Sequence, residues 1–374
     1  MNNMISFLDL KKQQLRLGDA IKKRVDQVLS HCQFILGPEV QELEERLANY
    51  VGAKFCVGVS SGTDAIQIAL MAENIGPGDA VFLPAFTYTA TAEVPLVLGA
   101  TPVFVDIDPE TFQIDPTHLK LCIQKIRNEA RLKPKAIIGV DLFGQPAPWD
   151  VLRQIAKQEQ LFLLDDCAQS FGGMYQGHKL GSEADATVTS FFPSKPFGGY
   201  GDGGAIFTND AEKAELYRSL RSHGEGKTRY QVLRTGMNGR LDTIQAAVLL
   251  AKLDFFDEEL SRREQIACLY DQHLASIVQV PIRVPQSQSA WAIYSILLQD
   301  EHSRIKLQNK LKEQHIPTAI YYPLPLHQQP AYCNSHDGSV LPVSERISKQ
   351  ILALPIHPEL TDQEVLQIIH AIKG

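Results

Sequence analysis

Cysteine is sparse in this chain and unpaired in its spacing. The six residues (Cys32, Cys56, Cys122, Cys167, Cys268 and Cys333) are scattered over 374 positions with no C-x-x-C pair. That pattern argues against a disulfide framework or a zinc site and fits reduced, mostly buried thiols in a cytoplasm, where we expect the protein. Long apolar runs are missing as well. None reaches eighteen residues, so no membrane-spanning helix is expected. The N-terminus, MNNMISFLDLKKQQ, lacks the apolar stretch and cleavage site of a secretion signal. Positive charge is in deficit, with 36 Lys and Arg against 43 Asp and Glu and a formal charge of −7. Neither nucleic acid nor an anionic membrane suits so acidic a chain as its main partner. No G-x-G-x-x-G follows the first predicted strand, and no Gly-Lys-Ser/Thr closes a P-loop there. Internal repeats and low-complexity segments are absent too. What is there is ordinary globular composition, 44% hydrophobic and 21% charged, at a length that suits a large domain and a smaller one.

The order of elements supplies both. Residues 10–31 carry a helix pattern, with Leu10, Leu17, Ile21, Val25, Val28 and Leu29 on one side. A second helix, over 39–51, starts from Pro38. Strands predicted at 55–59, 80–83, 102–105, 136–140, 161–164, 186–192 and 205–208 then alternate with helical stretches. Such alternation predicts an α/β sheet, mainly parallel and covered on both faces. One long helical region is expected from Thr243 past Leu260 to Leu274. Beyond Val278, short strands (279–284, 291–298) mix with helices (303–314, 344–352, 362–373), which reads as a smaller α+β domain. We place the large domain at 1–252 and the smaller one at 253–374.

Chemistry is expected at the carboxyl ends of the strands, where ligands collect in such sheets. Thr87-Tyr88, Asp165-Asp166, Ser190 and Lys195 all fall just after predicted strands. A lone loop lysine is ordinarily a solvated charge. Lys195, however, stands between Pro193 and Pro196 and before a run of glycines (Gly198, Gly199, Gly201, Gly203, Gly204). Prolines restrict the backbone, glycines allow close approach, and a partly desolvated amine is a candidate Schiff-base nucleophile. The adjacent acids Asp165 and Asp166 could be a metal pair, a general acid/base pair or a helix cap, the cap being favoured were it not for the other residues at strand ends. Only one of two neighbours faces a given side. Ser60-Ser61-Gly62-Thr63-Asp64 before a helix is ordinary capping, and also the kind of junction that binds an anion. Asn238 and Arg240 sit in a polar excursion of some 20 residues, long for a plain connection. The prolines and aromatics of Tyr321-Tyr322-Pro323-Leu324-Pro325-Leu326-His327 serve a core and turn, or close over a ligand.

As a set these pieces resemble the DegT/DnrJ/EryC1/StrS family of nucleotide-sugar aminotransferases, pyridoxal-phosphate enzymes of the aspartate-aminotransferase fold (fold type I). The resemblance runs through FILGPEV, SSGTDAI, PAFTYTATAE, DDCAQSFGG, SFFPSKPFGGYGDGG, GMNGRLDTIQAA and YYPLPLHQQPAY, nearly the whole chain. It implies that Lys195 holds the cofactor aldehyde as an internal Schiff base and later moves the proton at the amino-bearing carbon. Asp166 would keep the pyridinium nitrogen protonated, and Gln169 would contact the ring hydroxyl. Tyr88 would stack on the ring, while Gly62, Thr63 and Ser190 would hold the phosphate. Asn238 would reach that phosphate from the neighbouring subunit, making a homodimer with shared active sites. No metal is implied. A branch of the family with histidine at the lysine performs dehydration; with Lys195 intact, transamination is expected.

The reaction so implied is ping-pong, from L-glutamate to a nucleotide-linked keto-sugar, in surface-polysaccharide (O-antigen) or amino-sugar biosynthesis. FLDLKKQQ, SFFPSKP with GYGDGGAIFTND, and NGRLDTIQAAVLL resemble the branch that aminates UDP-2-acetamido-2-deoxy-3-oxo-glucuronate. There Arg240 would grip the uronate carboxylate, with Tyr321, Tyr322 and His327 as further substrate contacts. One departure is visible. That branch carries histidine where this chain has Tyr321, which keeps a dTDP- or UDP-linked 3-oxo- or 4-oxo-6-deoxy sugar as the alternative. Three rivals are disfavoured. An oxidoreductase would need the missing G-x-G-x-x-G, and a DNA-binding regulator a basic face. A catalytically dead copy would be expected to have lost Lys195, Asp166 or Asn238.

Overall fold

The computed structural model describes residues 5–228 and 230–374. Helix α1 (Leu10–His31) buries Leu17, Ile21 and Val28 and is capped by Asp9, whose carboxylate accepts the N–H of Lys12. Helix α2 (Pro38–Val51) begins on proline and ends at Gly52, which takes the left-handed conformation. Strands and helices then alternate: β1 (Phe55–Val59), α3 (Gly62–Ala72), β2 (Asp79–Pro84), α4 (Ala90–Val97), β3 (Thr101–Val105), α5 (Pro116–Glu129), β4 (Lys133–Val140), α6 (Trp149–Glu159) and β5 (Phe162–Asp166). A small hairpin, β6 (Met174–Tyr175) and β7 (His178–Lys179), precedes β8 (Ala186–Ser190), β9 (Gly204–Thr208) and α7 (Ala211–Leu220).

Seven strands make one sheet in the order β1-β9-β8-β5-β4-β2-β3. The pairs from β8 through β3 are parallel, and β9 runs antiparallel to both β8 and β1. Successive side chains on a strand point to opposite faces, and here both faces are apolar. Val81, Leu83, Ala136 and Ile138 pack with α3 and α4 on one side. Ala80, Phe82 and Ile137 pack with α5 and α6 on the other. The expected α/β architecture is the observed one.

The remaining elements are α8 (Thr243–Leu253), α9 (Phe256–Leu274), β10 (Ser287–Gln288), β11 (Tyr294–Leu297), α10 (Glu301–Glu313), α11 (Pro342–Gln350), β12 (Ile351–Leu354) and α12 (Asp362–Lys373). A separate core gathers α9, α10 and α12 around the antiparallel β11–β12 pair and includes Ile5. Three expectations need correction here. The long helix from Thr243 breaks at Asp254–Phe255, which turns Phe256 into the cluster of Phe171, Phe197 and Phe207. Residues 279–284 are no strand: Pro281 has no N–H to give, and the Gln145 side chain instead binds the carbonyl of Ile282 and the N–H of Val284. The helix expected over 344–352 stops at Gln350, because Ile351–Leu354 is a fully buried strand. A short apolar run of that kind does not reveal its type by periodicity.

Candidate active site

Strand β5 delivers the two acids to different places. Asp166 lies at its carboxyl end, 8% exposed, and one of its oxygens accepts the N–H of Ala168 at 3.1 Å. Burial pushes its pKa up, while Lys195 and that N–H pull it back. Asp165 points through the opposite face, where it is fully buried and accepts the Thr187 hydroxyl at 3.0 Å. Among the described residues no group of three or more His, Cys, Asp and Glu could hold a metal ion. The pair is therefore split, with Asp166 alone on the side of the lysine.

Lys195 sits on the connection from β8 to the antiparallel strand β9. The turn is closed by the Lys195 N–H on the carbonyl of Phe192 (2.8 Å) and by the Gly199 N–H on that of Phe191 (2.7 Å). Burial lowers the pKa of the Lys195 amine, and only the charge of Asp166 opposes it. Its Nζ lies 6.0 Å from the centroid of the Tyr88 ring, a side chain 53% exposed on the loop after β2. A large exposed aromatic beside a half-buried lysine leaves a ring face available to a flat ligand.

The junction of β1 and α3 completes the arrangement. Ser61 accepts the Asp64 N–H on its hydroxyl and the Ala65 N–H on its carbonyl. The earlier N–H groups, those of Gly62 and Thr63, have no acceptor within the helix. Gly62 lies against β8 so closely that an added Cβ would stand 2.7 Å from the Cβ of Ser190. Only glycine lets the helix terminus and the Ser190 hydroxyl share one spot.

Gln169 and Tyr322 form the opposite wall. The Gln169 carbonyl oxygen accepts the N–H of Phe143 at 2.8 Å, and its amide donates to the Tyr322 hydroxyl at 3.3 Å. Tyr322 packs edge-on against Phe86 and against Tyr321, whose ring is 6.3 Å from that of Phe7. Burial raises the pKa of both tyrosines. His327 belongs to another cluster. It pairs with Glu345 at 3.2 Å and packs beside Phe104 and His336. Asn238 is exposed, on a strip whose backbone pairs with Ser222 and Ser60. Arg240 bridges to Val59 on the same strip, and its Nε is buried with no partner among the described residues.

Sequence reasoning overlooked Asp141, although it too follows a strand. Fully buried, it accepts the Ala147 N–H (2.7 Å), the Trp149 indole (2.9 Å) and the Ser170 hydroxyl (2.6 Å). It ties the start of α6 to the turn after Asp166. Phe86 and Phe143 were missed as well, since nothing but the fold brings them to Tyr322 and Gln169.

A buried carboxylate, a desolvated lysine, an exposed aromatic face and a free helix N-terminus fit pyridoxal phosphate: an acid for the ring nitrogen, an amine for the aldehyde, an anion site for the phosphate. With its α/β sheet the chain has the architecture of fold type I pyridoxal-phosphate enzymes. Residues 16–373 match the model of the DegT/DnrJ/EryC1/StrS aminotransferase family, and the chain belongs to that family. It is 46% identical to the UDP-2-acetamido-2-deoxy-3-oxo-D-glucuronate aminotransferase of Pseudomonas aeruginosa, over 98% of this chain and 99% of that one. It is 40% identical to a pleiotropic regulatory protein of Geobacillus stearothermophilus, over 98% and 97%. Among solved structures, an aminotransferase of this family from Brucella abortus superposes with a TM-score of 0.96 at 45% identity, covering 99% of each chain. The protein is a pyridoxal-phosphate-dependent aminotransferase.

Proposed function

We propose that this enzyme moves the amino group of L-glutamate to the keto carbon of UDP-2-acetamido-2-deoxy-3-oxo-glucuronate, in the cytoplasm, for a surface polysaccharide such as O-antigen. The observation that carries the substrate is Arg240. Its guanidinium Nε is buried with no partner among the described residues, which leaves it open to a ligand carboxylate, although Arg221 and Arg263 share that feature. The 46% identity to the Pseudomonas aeruginosa enzyme of that name supports it.

The residue roles follow. Bound pyridoxal phosphate supplies an aldehyde to carry the amino group and a ring that draws electrons away from the reacting carbon. Asp166 holds the proton on the ring nitrogen, and Gln169, fixed by Phe143 and Tyr322, orients the ring. Gly62, Thr63 and Ser190 bind the phosphate. Lys195 Nζ, neutral at lower pH than an ordinary lysine, takes and returns the proton at the amino-bearing carbon. Tyr321 and Tyr322 are assigned to the sugar side; His327, buried against Glu345, Phe104 and His336, lies in a separate cluster. We read 1–252 as the domain that binds the cofactor and 253–374 as the smaller domain, with Asn238 serving the site of a partner subunit.

A second reading has one observation in its favour. Tyr321 replaces the histidine of the uronate branch, and a phenol is a poorer carboxylate ligand than a cationic imidazole. The alternative substrate is a dTDP- or UDP-linked 3-oxo- or 4-oxo-6-deoxy sugar. Steady-state kinetics with both sugar classes separates them. Arg240→Leu is expected to raise KM for the uronate by ~10–100-fold, the worth of a charged hydrogen bond, and to leave a 6-deoxy sugar unaffected. Turnover of the 6-deoxy sugar alone by the native enzyme would reject the uronate assignment.

A further inference from the structure

Helix α8 carries two polar side chains, Gln245 and Lys252, that reach into the loop after Lys195. They lie seven residues apart, two helical turns, and therefore on one face. Lys252 is 2% exposed. Its ammonium donates to the carbonyl of Gly198, three residues beyond Lys195, and to the Gln13 side chain at 2.9 Å. Its Nζ also stands 5.5 Å from the ring centroid of Tyr200. Gln245 accepts the N–H of Tyr200 at 2.9 Å, and its amide lies where a Cβ on Gly201 would fall, 2.8 Å away.

Between these anchors the loop has little freedom. A Cβ on Gly198 would come within 2.7 Å of the carbonyl oxygens of both Phe192 and Pro193, so the chain doubles back on itself there. Lys195 is enclosed by that doubled segment and by its two prolines. Displacement at Gly198 or Tyr200 must pass to the lysine. A buried ammonium is costly unless well partnered, and here its partners are the Gly198 carbonyl and the Gln13 side chain. Burial draws the Lys252 pKa down to about 8, with Arg263 and Arg16 acting in the same sense and Glu259 and Glu359 against it.

We propose that Gln245 and Lys252 are positioning residues, which hold the loop so that the amine of Lys195 meets the cofactor. The simplest competing account is that Lys252 only ties α1 to α8 through Gln13. This inference rests on Lys195 being the point of cofactor attachment, and the test separates the two.

Cofactor-free protein is mixed with pyridoxal phosphate, and its attachment is followed by visible absorbance, trapped with borohydride and located by peptide mass. Melting temperatures are measured alongside. Lys252→Met and Gln245→Leu are expected to capture the cofactor ~10–100-fold more slowly well below melting, the effect of a misplacement of about 1 Å. Lys252→Arg should recover much of the rate. The double variant should lose less than the product of the single losses, because both residues act on one loop. Capture at the native rate by folded Lys252→Met and Gln245→Leu overturns the proposal, whatever their melting temperatures. Should Lys252→Met fail to fold, Gln245→Leu and Lys252→Arg decide: slow capture by the first with near-native capture by the second supports it, and native capture by Gln245→Leu overturns it. A trapped adduct that persists in Lys195→Ala, on another peptide, rejects the attachment reading instead.

Discussion

Lys195 and Asp166 illustrate how a site sets its own titration. Burial disfavours both charges, raising the acid and lowering the amine, while each charge steadies the other. The lysine's depression is thus a balance that Asp166 limits. Attachment of pyridoxal phosphate, which requires the neutral amine, is expected to rise with pH to a midpoint below that of an ordinary lysine. Asp166→Asn removes the negative charge that holds the amine protonated, so its midpoint must move to still lower pH. Stopped-flow absorbance over a pH series measures both curves, and an upward shift would contradict the assignment. In the sequence, the positions after strands suggested this lysine and the pair Asp165-Asp166, and the family resemblance singled out Asp166. Their mutual burial, which decides the sign, was not written there.

Among elements, the ends of β4 and β5 and the turn that follows work as a unit. Asp141 is the hinge of that unit, and burial pushes its pKa up to about 7 despite three hydrogen-bond donors. The unfolded chain releases this proton near pH 4. The stability that the protonated carboxyl contributes is therefore complete below about pH 4 and is lost as pH rises towards 7, by at most ~1.4 kcal/mol per pH unit. Asp141→Asn does not titrate and keeps the same shape. Its stability relative to native protein is expected to climb across that window and level off above it, as denaturant unfolding at several pH values would reveal. A flat difference would assign the proton elsewhere. Most elements were legible in advance, since β2 and β4 are apolar on both faces and Pro116–Glu129 has a capping Asp115 and a proline start. The β11–β12 pair was only half legible. Tyr294–Leu297 falls within an expected strand, whereas Ile351–Leu354 finds its type only by pairing with a strand more than fifty residues away.

At the scale of the whole molecule, several large apolar side chains lie exposed. Tyr88, Phe192, Phe34, Ile35 and Leu36 are exposed, the last three leading to the start of α8 through the Ile35–Asp242 bridge. Exposed apolar surface of this extent suits burial against a second subunit. If Asn238 serves the partner's site, mixed dimers of Lys195→Ala and Asn238→Ala chains contain one site with both residues intact. Two inactive preparations, unfolded and refolded together, should then regain about a quarter of native turnover, since half the dimers are mixed and each has one good site. No recovery would place Asn238 in its own chain's site.

The sequence by itself determined the local choices: helix or strand along most of the chain, the caps and breaks, the glycine-rich loop, and the motifs that mark the family. These depend on periodicity and on residues a few positions apart. The tertiary structure decided what depends on distant chain segments meeting. It put Asp166 rather than Asp165 on the side of the lysine and Tyr322 on Gln169, and it left the Nε of Arg240 buried with no partner among the described residues. It also turned an unremarked lysine on α8 into an anchor for the loop that matters most. Burial and hydrogen bonding across hundreds of residues produce those outcomes, and no local pattern encodes them.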